Sequence, residues 1–338
     1  MIDSNRLLDL VDRFADARVV LHGDLVLDRF ILGTPKRISR EAPVIILRHE
    51  EQRDLPGGGA NALANLAALG VKATVVAAVG DDEPGRALRS SLESRGIDTT
   101  SVVSVPGYRT PTKVRILGGG SSSLKHQVAR YDIEDELPDD GAWRSRMLEH
   151  LKNSISTAGA LAISDYGYGC VRPQDLQDLP HSQPTGPWLC LDSRYRIGRF
   201  AGVDGATPNL QELEVHAQRR LFSDEMVAVA ADELRRELGA RFVLATRGNR
   251  GMTLVEKEHD PHHIPVYGSD EVADVTGAGD TVIAVLTASL AAGARPLEAA
   301  WLANIAAGLV VMKLGTAAVS ADELRHAVAI AGGADDSS

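Results

Sequence analysis

Residues 274–281 read Asp-Val-Thr-Gly-Ala-Gly-Asp-Thr, and an almost wholly apolar run, 282–292, follows them. Two glycines and a carboxylate are an odd opening for a helix whose body reads as buried. Gly277 and Gly279 let the chain turn tightly and bring bare backbone N–H groups close to a ligand. The helix behind them offers unpaired N–H donors and the positive end of its dipole, a combination that suits an anion, phosphate above all. Asp280, in the first turn, would repel that anion unless it had a task of its own. One task fits: taking a proton from a hydroxyl as the hydroxyl attacks phosphorus, since phosphoryl transfer asks little else of a protein beyond alignment and charge neutralisation. The plain alternative is an ordinary helix start in which Asp280 only favours the dipole.

A second pair stands in Pro-Asn-Leu-Gln-Glu, 208–212. Asn209 and Glu212 place an amide and a carboxylate three apart at a helix start. They could share one hydrated Mg²⁺, which usually keeps several of its waters. Equally, they could be an N-cap and its capping-box partner.

Composition narrows the field. The chain has 338 residues, 44% hydrophobic and 24% charged, with a formal net charge of −10. That balance belongs to an ordinary globular protein and weighs against nucleic-acid binding, which needs a basic face to displace counterions. It leaves room for a small phosphorylated ligand, which needs only a few local cations and backbone N–H groups. Cys170 and Cys190 have no ligand spacing and read as small buried hydrophobes. The N-terminus is charged throughout and lacks the apolar centre of a signal peptide. The apolar stretches near 281–294 and 299–312 are too short to span a membrane. A cytoplasmic protein without a membrane partner is expected. No Gly-x4-Gly-Lys-Ser/Thr run occurs, and no strand is followed by Gly-x-Gly-x-x-Gly, which argues against a dinucleotide-binding oxidoreductase.

The elements that would hold these groups alternate along the chain. Residues 18–24, 73–80, 159–164, 188–193 and 241–246 read as short buried strands, and 59–69, 84–95, 143–156 and 224–238 as helices. That alternation predicts an α/β fold with a mostly parallel sheet covered on both faces. Ligands gather at the carboxyl ends of such strands. Asp24, Asp28, Asp165, Asp192, Asn209, Thr246 and Gly248 fall there. Residues 28–56 and 101–132 break the rhythm with extended runs, and are expected to form a second small sheet, with 118–123 as its hairpin connection. Such a sheet hinged over strand ends makes a lid; a decorative extension or a dimer contact is the alternative. The chain shows no internal repeat, and the tail 331–338 is expected to lie outside the fold.

Five segments carry a resemblance. Gly23–Asp28 (GDLVLD), 56–70 (PGGGANALANLAALG), 207–214 (TPNLQELE), 246–251 (TRGNRG) and 274–281 (DVTGAGDT) resemble, in order and spacing, the motifs of the ribokinase-like carbohydrate kinases of the PfkB family, over about 17–325. The resemblance implies a three-layer αβα sandwich with a small β-lid, one kinase domain over 1–330. It implies Asp280 as catalytic base, and Gly277, Ala278 and Gly279 as the anion hole. It implies Asn209 and Glu212 as organisers of Mg²⁺ and phosphate, and Thr246, Gly248, Gly251 and Asn304 at the nucleotide. Asp28, Gly57, Gly58 and Asn61 would meet the sugar, a role that suits Asp and Asn because they bond to vicinal hydroxyls. A K⁺ site near Asp274, Thr276 and Gly315, and a homodimer through the lid, are implied in the same way.

The segments 37–47, 112–117, 129–132 and 303–324 further resemble the heptose 7-phosphate kinases of lipopolysaccharide-precursor synthesis. Those enzymes use ATP to phosphorylate the anomeric hydroxyl of D-glycero-D-manno-heptose 7-phosphate. They are often fused to a nucleotidyltransferase; this chain is expected to be either a free-standing kinase or the kinase part of such a fusion. Arg40 departs from that pattern, where proline is expected, as does 125–130. A phosphosugar needs cations for its distal phosphate. Arg37, Arg40, Lys113, Arg115 and Arg130 are candidates, arginine being suited to bidentate capture, although each could equally be a solvated surface charge. Other sugars, with or without phosphate, and a sensor that binds without turnover are the alternatives.

Overall fold

The structure, a computed structural model, describes residues 3–119, 125–139, 141–177, 179, 186–268, 275–313 and 317–335. In chain order the strands are β1 (Arg18–Gly23), β2 (Leu25–Ile38), β3 (Ile45–Gly58), β4 (Lys72–Gly80), β5 (Val102–Val105), β6 (Thr112–Gly118), β7 (His126–Ile133), β8 (Ala160–Asp165), β9 (Trp188–Ser193), β10 (Gly205–Ala206), β11 (Phe242–Thr246), β12 (Met252–Glu256) and β13 (His262–Ile264). The helices are α1 (Ser4–Asp12), α2 (Gly59–Ala68), α3 (Glu83–Glu93), α4 (Ala142–Ile155), α5 (Pro173–Leu176), α6 (Leu210–Ala217), α7 (Asp224–Leu238), α8 (Ala278–Ala291), α9 (Pro296–Val311) and α10 (Ala321–Asp335).

Nine strands form one sheet in the order β13-β12-β11-β10-β9-β8-β1-β4-β5. From β11 to β5 every neighbouring pair is parallel, and only β12 and β13 at one edge are antiparallel. The central strands β1 and β8 are buried along almost their whole length, as their unbroken apolar runs require when helices cover both faces. Helices α2, α8 and α9 pack on one face, α4 and α7 on the other. Helix α8 is mostly apolar and buried from Asp280 to Leu290 because it lies between the sheet, α2 and α9. Local signals set the helix ends. Ser223 caps α7 by accepting from the Met226 amide, and Gly239 closes it in the left-handed region at φ 67°. No helix among the described residues is long and apolar enough to cross a membrane.

The second sheet has four strands in the order β3-β2-β6-β7. Strand β2 begins in the body, where Leu25, Val26 and Leu27 are buried, and continues outward into this sheet. The expected lid is therefore present, with one correction. Residues 102–105 were expected in the small sheet, but they form β5 and pair in parallel with β4 at the edge of the large one. Val102, Val103 and Val105 are buried there, so the core claims them. A second correction concerns the tail, since α10 continues to Asp335. Most of the expected hairpin, 120–123, lies outside the described residues. Cys170 and Cys190 are both buried, as expected. The lid root is tied to the body by Arg29, which holds Asp54 through two bonds of 2.8 and 2.7 Å and Glu83 of α3 through bonds of 2.9 and 2.8 Å.

The sheet that carries the strand ends depends on a close approach at β10. A Cβ at Gly205 would sit 2.1 to 2.6 Å from ring atoms of Phe242, which is fully buried on the neighbouring strand. Gly205→Ala should therefore destabilise the fold by about 1–3 kcal/mol, the usual cost of overpacking. Urea unfolding would show this as a lowered midpoint.

Candidate active site

Beyond the carboxyl ends of β8, β9, β10 and β11 lies a cleft of about 480 Å³. The sheet places it there, because each parallel strand delivers its last polar residue to the same edge. Asp165 ends β8, Asp192 lies near the end of β9, Thr207 follows β10, and Thr246 ends β11; all four line the cleft. The mouth of α8 closes it with Gly277, Gly279 and Asp280.

Asp280 is the most constrained of these groups. It is 5% exposed, in the first turn of α8. Its Oδ2 accepts from Asn61 Nδ2 on α2 at 2.9 Å, and its Oδ1 accepts from the Tyr166 hydroxyl at 2.9 Å. Burial pushes its carboxyl up to about 7, against the pull of those two bonds; Asp28 adds to the rise and Arg194 opposes it. A carboxyl that titrates near neutrality is suited to general-base work.

At the helix mouth, Gly277 takes the left-handed conformation at φ 81°, which glycine adopts without strain. A Cβ on Gly279 would meet nothing within 4 Å, so the approach to this turn is open. Ala278 does not line the cleft, and its amide already donates to the Val275 carbonyl at 3.3 Å. Of the three residues expected as an anion hole, the geometry thus favours Gly277 and Gly279.

The expected Asn209–Glu212 pair forms a capping box on α6. Asn209 Oδ1 accepts from the Glu212 amide and Glu212 Oε2 from the Asn209 amide, both at 2.9 Å. Both side chains also line the cleft, facing Asp192. Burial raises the Asp192 carboxyl well above its ordinary range, and the charges of Glu212, Asp280 and Asp165 add to this. Burial raises Glu212 as well. Two neighbouring acids that resist ionising together suit a divalent cation between or above them. With Asn209, they could hold such a cation through its waters, several of which Mg²⁺ usually keeps.

Asp24, at the end of β1, braces the loop after β8. Its carboxylate accepts from the amides of Tyr166 at 2.8 Å, Tyr168 at 3.1 Å and Cys170 at 3.0 Å. Arg194 is the one cationic side chain among the described residues lining the cleft, its guanidinium 6.0 Å from the Tyr166 ring and 5.7 Å from that of Tyr195.

The residues expected to meet the sugar cluster where the lid joins the body. Asp28 is buried and accepts from Arg115 at 2.6 Å. A Cβ at Gly57 would lie 2.5 Å from the Asp28 carboxylate, and Gly58 turns into α2 at φ 55°. Asn61, expected on the sugar, donates one amide hydrogen to Asp280 at 2.9 Å. Lys113 bonds to the Tyr168 hydroxyl at 3.1 Å and lies 3.7 and 3.6 Å from Asp132 and Glu134; Arg130 grips Asp132 at 2.8 and 2.6 Å. Arg37 and Arg40 are exposed, Arg37 near the far end of β2. On the nucleotide side, Thr246 lines the cleft beside Asn209, with which it forms an isolated bridge. Gly248, Gly251 and Asn304 do not line it. Asn304 donates to the Pro265 carbonyl at 2.8 Å, and a Cβ on Gly251 would fall 2.0 Å from the Ile264 carbonyl oxygen, so both have structural work. Thr276 directly precedes the α8 cap, while Asp274 and Gly315 lie outside the described residues. Tyr166 and Arg194 were missed by sequence reasoning. The one available signal was their place directly after strands β8 and β9, at the edge where ligands collect.

A parallel sheet, a small lid and a buried carboxylate at a glycine-opened helix define a sugar kinase of one lineage. The family model described as pfkB family carbohydrate kinase matches residues 17–163 and 174–323, and the chain belongs to that family. It is an ATP-dependent carbohydrate kinase. It is 37% identical over 331 residues to Bifunctional protein HldE of Hyphomonas neptunium, covering 97% of this chain and 67% of that one. To the protein of the same name from Hahella chejuensis it is 41% identical over 318 residues, covering 93% and 64%. The chain thus spans about two thirds of the length of these relatives. Among solved structures, phosphofructokinase-2 from Escherichia coli in complex with potassium superposes with a TM-score of 0.75 at 22% identity, over 94% of this chain and 99% of that one. Arabidopsis thaliana ribokinase complexed with ribose and ATP gives 0.68 at 20% identity, over 92% and 98%. These likenesses establish the ribokinase-like fold.

Burying Asp280 has a consequence for stability. Its carboxyl ordinarily ionises near 3.8 but holds its proton to about pH 7 in the folded protein. Between those values the folded state binds more protons than the unfolded chain, so its contribution to stability is present at low pH and is lost as pH rises through 7. Asp280→Asn should therefore be more stable than the parent at pH 8, by on the order of a few kcal/mol. The two should converge near pH 4. Urea midpoints at both pH values would check it.

Proposed function

We propose that the chain transfers the γ-phosphoryl group of ATP to the anomeric hydroxyl of D-glycero-D-manno-heptose 7-phosphate, giving the 1,7-bisphosphate, a step toward a lipopolysaccharide precursor. The observation that carries this is the placing of the Asp280 carboxylate near a lid face that bears Asp28, Lys113, Arg115 and Arg130. Alternation along the lid strands puts these four side chains on one face. Arg115 and Arg130 are directly opposed across β6 and β7. Like charges so placed repel; Asp28 and Asp132 balance them here, and a sugar phosphate would draw on the same two guanidiniums. Resemblance in 37–47 and 303–324, and the relatives at 37–41% identity, support the heptose assignment.

In this proposal ATP lies along the carboxyl edge, its γ-phosphate at the amides of Gly277 and Gly279 and its remaining phosphates toward Asn209 and Thr246. Asp192 and Glu212, with Asn209, would hold Mg²⁺ through water, and the bound ion would neutralise phosphate charge. Asp280 takes the proton of the anomeric hydroxyl as its oxygen attacks the γ-phosphorus. The new O–P bond forms as the bond to the bridging oxygen breaks, ADP leaves, and Asp280 passes its proton to solvent. The lid closes over the sugar and excludes water. A K⁺ near Thr276 and a homodimer through the lid remain part of the proposal. Ile38, Val44 and Ile45, exposed apolar residues of the lid, suit the dimer.

ADP release with a sugar panel tests this. Heptose 7-phosphate should give the highest kcat/KM, above fructose 6-phosphate, ribose and unphosphorylated mannose analogues; equal or better turnover of fructose 6-phosphate or ribose would assign the site to another sugar. Asp280→Asn should lower turnover at least about a hundredfold. Arg115→Ala and Arg130→Ala should each lower kcat/KM for the phosphosugar by about tenfold or more, mostly through KM.

A further inference from the structure

Tyr166 stands in contact with the carboxylate that does the chemistry, yet none of the motifs includes it. Its hydroxyl donates to Asp280 Oδ1 at 2.9 Å. Three features fix it in that place. The Asp24 carboxylate accepts from its backbone amide at 2.8 Å and from the amides of Tyr168 and Cys170 beyond it, so the loop that carries Tyr166 is held from below. Gly58 leaves room for the ring: a Cβ there would lie 3.3 Å from Tyr166 Cε2. The Arg194 guanidinium lies 6.0 Å from the ring centre. A tyrosine needed only for packing would not require its hydroxyl to end on a buried acid.

We propose that Tyr166 is a positioning residue for the base: its hydroxyl fixes the Asp280 carboxylate in the orientation that meets the incoming hydroxyl, and Asp24 holds Tyr166 in place to do so. The inference rests on Asp280 acting as the base. Asn61 and Tyr166 occupy one lone pair on each carboxylate oxygen, so the group cannot rotate freely, and the oxygens keep a lone pair each for the incoming hydroxyl. Burial makes the Tyr166 hydroxyl much harder to ionise than an ordinary phenol, so it remains a donor across the working range. Among the described residues, the groups that face Asp280 are few. Asn61 comes from α2, Tyr166 from the loop after β8, Asp28 from β2, Arg194 from the loop after β9, and Asp192 from β9. Asn61, Tyr166 and Arg194 favour the charged form; burial and Asp28 oppose it. Removing the Tyr166 donor should therefore make Asp280 hold its proton to higher pH.

The test is the pH profile of kcat/KM for the sugar. Tyr166→Phe keeps the ring and loses the hydroxyl. Its acid limb should move up by about one pH unit, which is about a tenfold loss on that limb, with activity recovering above it. A ring-fluorinated tyrosine at position 166, a stronger donor of nearly the same shape, should move the limb the other way, and it decides the matter if the Phe variant does not fold. An acid limb that superimposes on the parent's in either folded protein, with or without a uniform fall in kcat, would overturn the role of Tyr166. Asp280→Asn assayed beside them separates the two levels. If it is near-normal, the base assignment fails; if it is inactive while the limb stays put, only the Tyr166 inference fails.

Discussion

The site turns on a carboxylate held where water can barely reach it. Asp280 is buried at the positive end of α8, with Asn61 and Tyr166 each bonded to one of its oxygens. Burial favours its protonated form; the two donors and Arg194 favour its charged form. The balance sits near neutral pH, where a modest change in surroundings moves the proton on or off. An exposed aspartate would be ionised far below that range and would make a weak base.

That balance accounts for much of the surrounding architecture. Helix α8 must be buried to bring its N-terminus to the sheet edge, and it is mostly apolar for that reason. Helix α2 packs against α8 and so can present Asn61. The turn into α2 runs through Gly57 and Gly58, where side chains would strike the Asp28 carboxylate and crowd the Tyr166 ring. The loop after β8 is tied down by Asp24 and, behind it, by Asp165, which accepts from Ser193 Oγ at 2.6 Å and pairs with Arg196. Arg29 links the lid root to the same body. The lid and Asp280 meet at Asp28, which pairs with Arg115 of the lid and adds to the rise of the Asp280 carboxyl.

Much of this was legible in the sequence, and the reasons differ by element. Strands β1, β8, β9 and β11 were readable because strands buried on both faces are short apolar runs between turns. The small sheet was readable from its extended runs, but β5 was misplaced: a four-residue valine-rich strand looks the same in a lid and at a sheet edge, and only long-range pairing decides. Asp280 and its glycines were readable because local spacing encodes a helix mouth. The bond from Asn61 to Asp280 spans 219 residues of chain, a separation no local pattern reports. Tyr166 was invisible for the same reason. The capping box at Asn209 and Glu212 was one of two open alternatives, and the structure adds that a cap and a cleft wall are compatible. The lid cations can be named from the sequence, but their carboxylate partners, Asp28 and Asp132, emerge only from the register of β2, β6 and β7.

The most direct measurement is a crystal structure with ADP, aluminium fluoride and sugar bound together. The fluoride group, standing in for the migrating phosphoryl, should lie within hydrogen-bonding distance of the Gly277 and Gly279 amides, with the acceptor hydroxyl on Asp280. A fluoride group seated away from the α8 mouth, or an acceptor hydroxyl out of reach of Asp280, would contradict the assignment of both the anion site and the base.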